Sequence, residues 1–331
     1  MGEISDYLVW GAATAYAIAL VCFAIDLGQV SEAIGARKKA RVQALAAAQS
    51  ALEPSAGAIA TAQAEKGLQD VQDLAPITYV GRRSKPLGIA MSTTIIGFLL
   101  HAGAVVTRGL AAGRVPWANM YEFCLMGTFV AIGAFLVIQA FKEIRYIGGF
   151  VTFVALLFLV VGMNVFHIKA DSVQPALQRY WLVIHVGIAV TATGIFTIAF
   201  ALSILQLLRD SRENGSPLVT WNWVEVLPAA DRLEALSFRV NAVGFVLWTF
   251  TLISGAIWAD GAWGRAWGWD PKEVWSFIVW VVYAAYLHAR TTRGWSGRRA
   301  AYFVIVGYFT VLFNFTGVNL LFNGKHSYSG L

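Results

Sequence analysis

The strongest constraint on this chain is a set of long apolar runs that carry almost no formal charge. A bilayer core about 30 Å thick takes about 20 apolar helical residues to cross. Runs of that order cover residues 7–28, 87–107, 119–141, 147–166, 180–208, 240–259, 274–291 and 300–322. Only Glu122 inside the third, and Asp26 and Arg290 near helix ends, interrupt them. That scarcity fits a cost of about 2.5–3.5 kcal/mol for a charge at mid-bilayer. The composition agrees, with 58% hydrophobic and 13% charged residues, too apolar for a water-soluble domain. The expected fold is therefore all-α: a polytopic integral membrane bundle of about eight transmembrane helices, with lipid as the solvent for most of the chain.

Basic residues set the orientation. With the N-terminus outside, 18 of the 25 Lys and Arg residues fall on inner connections, and the positive-inside rule selects this topology over its inverse. The net charge of +6 is this same bias. Spread over short loops, it implies no nucleic-acid partner. The first apolar segment lacks a basic start and a small-residue cleavage site, so it reads as a retained helix. Cys22 and Cys124 both fall in spans and form no C-x-x-C pair, which disfavours thiol–disulfide chemistry and suits small packing residues.

Three regions follow: a first helix over 1–30, a basic and Ala-rich linker over 31–86, and a seven-helix membrane domain over 87–331. The linker opens with Arg37, Lys38, Lys39 and Arg41 and is interrupted by Pro54, Gly57 and Pro76, so a flexible cytoplasmic segment is expected. Trp221 to Leu236 is expected to lie along the inner interface. No internal repeat of a transporter kind is present.

The outer connections are more distinctive, above all residues 258–275, WADGAWGRAWGWDPKEVW. Five of the 13 tryptophans, Trp258, Trp263, Trp267, Trp269 and Trp275, fall in these 18 positions, with Gly261, Gly264 and Gly268 between them. An interfacial aromatic belt would place indoles singly at helix ends. Crowded indoles offer flat apolar faces with one N–H donor each, and glycines let a ligand approach the backbone. Such a surface suits a large planar ring, for which a porphyrin is the obvious candidate. Arg265 and Lys272 either meet its propionates or are solvated loop charges. Asp270, Pro271 and Glu273 have the arrangement of an N-cap, an N1 proline and an acidic N3 residue opening the seventh helix. Capping and a contact with haem are compatible roles.

Five histidines occur: His101, His167, His185, His288 and His326. His185, inside the outer end of the fifth span, and His326, beyond the eighth, share the face of the tryptophan loop. There two neutral imidazoles can ligate haem iron, whereas a lone interfacial histidine is more often simply hydrogen-bonded. His288 lies 18 residues beyond Asp270 on the same helix, about 27 Å deeper. If it binds haem, it does so at a second, inner site.

Trp263-Gly264-x-x-Trp267-x-Trp269-Asp270-Pro271-Lys272-Glu273-x-Trp275 resembles the WWD signature of haem-handling membrane proteins. The closest resemblance is to the CcsA (ResC) family of System II cytochrome c biogenesis. Trp181-Leu182-x-x-His185, Tyr286-Leu287-His288 and Gly317-Val318-Asn319 through His326-Ser327-Tyr328 resemble the histidine contexts of that family, and Pro116, Asn119, Tyr121 and Glu122 a pattern at its third span. The likeness runs from about residue 87 to the end. It implies the haem-handling subunit of a cytochrome c synthase in the bacterial plasma membrane, with the N-terminus, the WWD loop and the C-terminus outside. The implied partners are a CcsB (ResB) membrane protein and apocytochrome c with its CxxCH motif, and the implied cofactor is haem b. By resemblance, His185 and His326 are axial ligands at the outer site, and His288 ligates a transmembrane haem opposite a histidine of the partner. Trp263, Trp267, Trp269, Asp270 and Trp275 would form the binding platform. His101 and His167 match no ligand of the family and are taken as structural. Two rival expectations remain: a haem exporter or chaperone of the CcmC type, and a non-haem transporter. An impermeant thiol reagent is expected to reach a cysteine placed at Ala266 in intact cells, and one placed at Ser296 only after the membrane is opened; the reverse pattern inverts the topology.

Overall fold

A computed structural model describes residues 1–51, 58–72, 77, 79, 81–171, 180–216 and 219–326. The described residues form helices α1 (Gly2–Ala51), α2 (Ala58–Gln72), α3 (Lys85–Ala112), α4 (Met120–Phe141) and α5 (Gly148–Val165), followed by α6 (Tyr180–Glu213), α7 (Ala230–Trp263), α8 (Pro271–Thr292), α9 (Arg298–Phe315) and the short α10 (Gly317–Leu321). No strand occurs among them. A helix stands at each of the eight expected spans, and seven of the helices are long and apolar enough to cross a membrane. The remaining one, α8 at the seventh expected span, has the length, with 22 residues, but its Lys, Glu, His, Arg and Tyr content lowers its hydropathy.

The bundle is two packed groups. α1 lies along α3 and α5, while α6 lies along α7 and α9, with α8 against α7 and α9; α4 bridges the groups through α5 and α6. Glycines permit the closest approaches. At Gly97 a Cβ would stand 2.7 Å from the Tyr16 ring, and at Gly244 2.6 Å from that of Phe196.

The end of the first helix moves, whereas α3 opens at Lys85, close to the expected residue 87. α1 does not end near residue 30 but continues to Ala51, because its buried face continues in helical register through Phe23, Val30 and Ile34. Lys38 then binds Glu225 at 2.5 Å and Asn222 at 3.2 Å. Ala-rich sequence favours the helix once those contacts hold it. Ala58–Gln72 is helical as well, so much of the expected linker is helix, while Pro54, Gly57 and Pro76 lie outside the described residues. Of the expected interfacial segment, Asn222–Val226 forms a 3-10 turn and everything from Ala230 belongs to α7. In the outer run from Asp171 to Trp181, residues 172–179 lie outside the described set.

Glu122, the one acid expected inside a span, is fully buried at the start of α4. Asn119 caps that helix through the Glu122 N–H at 2.9 Å. The Glu122 carboxylate accepts from Arg108 Nε at 3.0 Å, Arg114 Nη1 at 2.7 Å and the Ala118 N–H at 2.9 Å. Arg108 is itself 1% exposed and also donates to the Ile168 carbonyl at 2.8 Å. Removing the acid strands a buried guanidinium. Glu122→Ala is expected to lower stability in detergent unfolding by about 3–5 kcal/mol, whereas Glu213→Ala, breaking the surface pair with Arg209, should cost less than about 1 kcal/mol.

Candidate functional site at the tryptophan-rich end

Trp258 and Trp263 are not loop residues: α7 runs through both and stops at Gly264, which takes φ +68°. The loop proper is Gly264–Asp270, and Trp275 stands on α8. At its end Trp269 adopts φ +59°, the only non-glycine positive φ among the described residues, a conformation costing about 1–3 kcal/mol.

The strain is held by the capping box that opens α8. Glu273 Oε2 accepts the N–H of Gly268 at 2.7 Å and of Asp270 at 3.1 Å, and Asp270 Oδ1 accepts the Lys272 N–H at 3.0 Å. The same Asp270 carboxylate reaches past α10. Its Oδ2 accepts the Lys325 N–H at 2.6 Å and its Oδ1 lies 2.9 Å from His326 Nδ1. A carboxylate accepts, so this contact puts the proton on Nδ1, the tautomer in which Nε2 carries the ring's lone pair. Gly324 makes room for the contact, since a Cβ there would stand 2.5 Å from Asp270 Oδ2.

His185 is prepared in the same way. Its Nδ1 donates to the Thr251 carbonyl at 2.9 Å. Gly255, one turn on, admits the ring, as a Cβ would stand 2.7 Å from Cε1. The indole of Trp258, 1% exposed, lies parallel to His185 with centroids 6.3 Å apart and 5.9 Å from the ring of His326. Its Nε1 is buried and has no hydrogen-bond partner among the described residues.

Both imidazoles line one cavity, open on one side. Trp258, Trp267, Trp248 and Lys272 share the wall with them. A largely apolar wall, two prepared imidazoles and an indole N–H with no described acceptor fit a tetrapyrrole. Among the described residues no cluster of three or more His, Cys, Asp or Glu side chains could hold a bare metal ion.

The other expected site residues have separate places. Trp263 packs edge-on against His326 at 4.9 Å. Trp269 is 78% exposed and touches Trp267 edge-on at 5.7 Å. Trp275 lies against Phe313 of α9 at 4.4 Å. His288 is exposed on α8 and lies outside the cavity wall. His101 is buried between Tyr16 and the Leu125 carbonyl, and His167 meets Asp6 at 3.0 Å, both as structural groups. The sequence places Trp258 in the tryptophan cluster but not among the expected site residues, and it assigns no role to Thr251 or Gly255. Their signal is helical spacing, since 248, 251, 255 and 258 form one stripe of α7.

Residues 117–326 match the family model described as Cytochrome C assembly protein. Fold and match together define a cytochrome c assembly membrane protein. The chain is 37% identical over 254 residues to the cytochrome c biogenesis protein CcsA of a Prochlorococcus marinus strain, covering 70% of this chain and 80% of that one. It is 32% identical over 273 residues to CcsA of Guillardia theta, covering 77% and 87%. It belongs to the CcsA family. A solved structure titled Cytochrome c Heme Lyase CcmF shares the fold at a TM-score of 0.57 and 13% identity, over 99% of this chain and 48% of that one, so this chain spans about half its length.

Burial raises the Asp270 carboxyl, but the hydrogen bond and charge of His326 and the N–H groups of Lys325 and Lys272 outweigh it and hold the pKa down at about 2. The folded value lies below the ordinary 3.8, so its stabilisation is fully present above that pH and lost as pH falls through about 2. Acid unfolding followed by tryptophan fluorescence should show a loss of stability in that window, which Asp270→Asn removes.

Proposed function

We propose that this chain is the haem-handling subunit of a System II cytochrome c synthase, carrying haem to the outer membrane face and holding it for thioether attachment to apocytochrome c. The observation that carries the reading is the pair of imidazoles, His185 and His326, each with Nδ1 engaged, on one indole-walled cavity. His185 and His326 would hold haem b through their Nε2 atoms, and the haem, when bound, would supply the two vinyl groups to which the thiols of a CxxCH segment add.

What this chain does is position. Thr251 and Asp270 set the tautomers, so both rings present a lone pair without a proton shift. Trp258 and Trp267 give the ring plane an apolar wall and exclude water. The substrate would bring its own thiols, which accounts for a chain without a C-x-x-C pair of its own, and the substrate's histidine would take the place of one of the two imidazoles on release. His288, exposed on α8, is placed to share a second, inner haem with a histidine of a CcsB (ResB) partner. The assembly lies in the bacterial plasma membrane with the WWD loop and both termini outside.

Co-expression with the partner and a CxxCH reporter tests this. The purified complex should be coloured and the reporter should carry covalent haem. His185→Ala with His326→Ala should abolish maturation while the membrane protein is still made, and His288→Ala should deplete haem at both sites. Normal maturation in the double variant would overturn the ligand assignment. A coloured complex that never matures the reporter supports a carrier of the CcmC type, and a colourless one with haem in supply supports a transporter.

A further inference from the structure

Among the described residues, the cavity wall carries a cation with no carboxylate in contact with it. Lys272, on the first turn of α8, lines the cavity, and its Nζ donates to the Asn314 carbonyl at 2.5 Å and to Asn319 Oδ1 at 3.3 Å. Both acceptors are uncharged. No carboxylate pairs with this ammonium among the described residues, although Lys38, Arg82, Arg108, Arg114 and Arg265 each have one.

The neighbouring acids are committed elsewhere. Asp270 gives Oδ1 to His326 and the Lys272 backbone N–H, and Oδ2 to the Lys325 N–H. Glu273, which also faces the cavity, gives Oε2 to two backbone N–H groups of the loop and has Oε1 3.5 Å from Arg265. Arg265 itself stands over the Trp263 ring at 5.8 Å and is not in the wall. The Asp270 charge favours the ammonium from a distance, but none of the described carboxylates reaches Nζ, and an ammonium so placed in a largely apolar wall gains from an anion that binds it directly. The Trp258 N–H on the same cavity, with no partner among the described residues, adds a second donor with the same need.

We propose that Lys272 is the carboxylate-recognising group of this cavity and anchors a propionate of the bound porphyrin. The inference rests on the haem-handling reading and deepens it. Of the two loop cations, Lys272 takes this role and Arg265 does not. The anchor and His326 share one support, the capped start of α8, so a porphyrin held there has its propionate edge at the α8–α9 junction. Vinyl and propionate groups occupy opposite edges of protoporphyrin, so the edge that reacts with thiols points away from α8.

The test titrates the purified complex, stripped of haem, with iron protoporphyrin IX and with its dimethyl ester, reading affinity and the bis-histidine absorption spectrum. The wild type should prefer the free acid by about ten- to a hundredfold, the range of a charge-assisted hydrogen bond. Lys272→Gln should lose that preference, binding both compounds as the wild type binds the ester with the spectrum unchanged. Lys272→Arg and Arg265→Gln should keep it. Equal affinities in the wild type, or a preference that survives in Lys272→Gln, overturn the proposal and leave the haem reading standing. The wild-type comparison decides even if Lys272→Gln does not fold. A wild type that binds neither compound overturns both.

Discussion

One carboxylate organises the tryptophan-rich end of this protein. Asp270 caps α8, accepts the Lys325 N–H and holds the His326 ring, so the segment after α10 is tied to the start of a helix more than 50 residues earlier. Two features of the backbone serve this contact. Gly324 removes the Cβ that would collide with the carboxylate, and Trp269 accepts a left-handed conformation immediately before it. A backbone strained by about 1–3 kcal/mol persists only where its surroundings over-determine it. Here the Glu273 carboxylate does so, by taking the N–H groups on either side of Trp269.

The same device, a buried acid shared among donors from different elements, recurs where helix ends must be joined. Asp26 of α1 takes Tyr79 at 3.1 Å, Arg82 at 3.0 Å and Ser84, which also caps α3. Glu122 binds the end of α3 and the turn after it to α4. Glu234 of α7 meets Arg290 of α8 at 2.9 Å and the Gly297 N–H at 2.7 Å, joining α7, α8 and the start of α9. Ionisable groups are expensive in apolar surroundings and occur paired. Each ties the end of at least one helix to another element, and the apolar stretches of the helices then pack by shape.

Span length and charge make the eight helices legible, and the Asp-Pro-x-Glu pattern marks the start of α8. The linker reads as flexible because composition does not reveal that Val30 and Ile34 extend a buried face or that Lys38 finds Glu225 across 187 positions. The tryptophan segment reads as one loop because its glycines and indoles obscure the helical phase of α7. With that phase, Trp258 belongs to the stripe of Trp248, Thr251 and Gly255, while Trp269 faces out. Identical residue types 11 positions apart thus have opposite surroundings. That His185 and His326 share a cavity is accessible from the parity of spans; which ring nitrogen each presents depends on a backbone carbonyl and a carboxylate that no local pattern marks.

On the proposed reading, α8 has a special position. It carries the Asp270 cap that orients His326, the Lys272 ammonium in the cavity wall and, 18 residues beyond the cap, the exposed His288. It is also the span whose polar content sets it apart from the other seven. A helix that only had to cross lipid would gain from exchanging Lys, Glu and His for Leu. Retaining them is costly, and the cap, the cavity wall and the exposed imidazole are the three places where that cost is matched by a contact or by a ligand. A polar span is thus the expected form for the one helix that serves sites at both depths of the bundle.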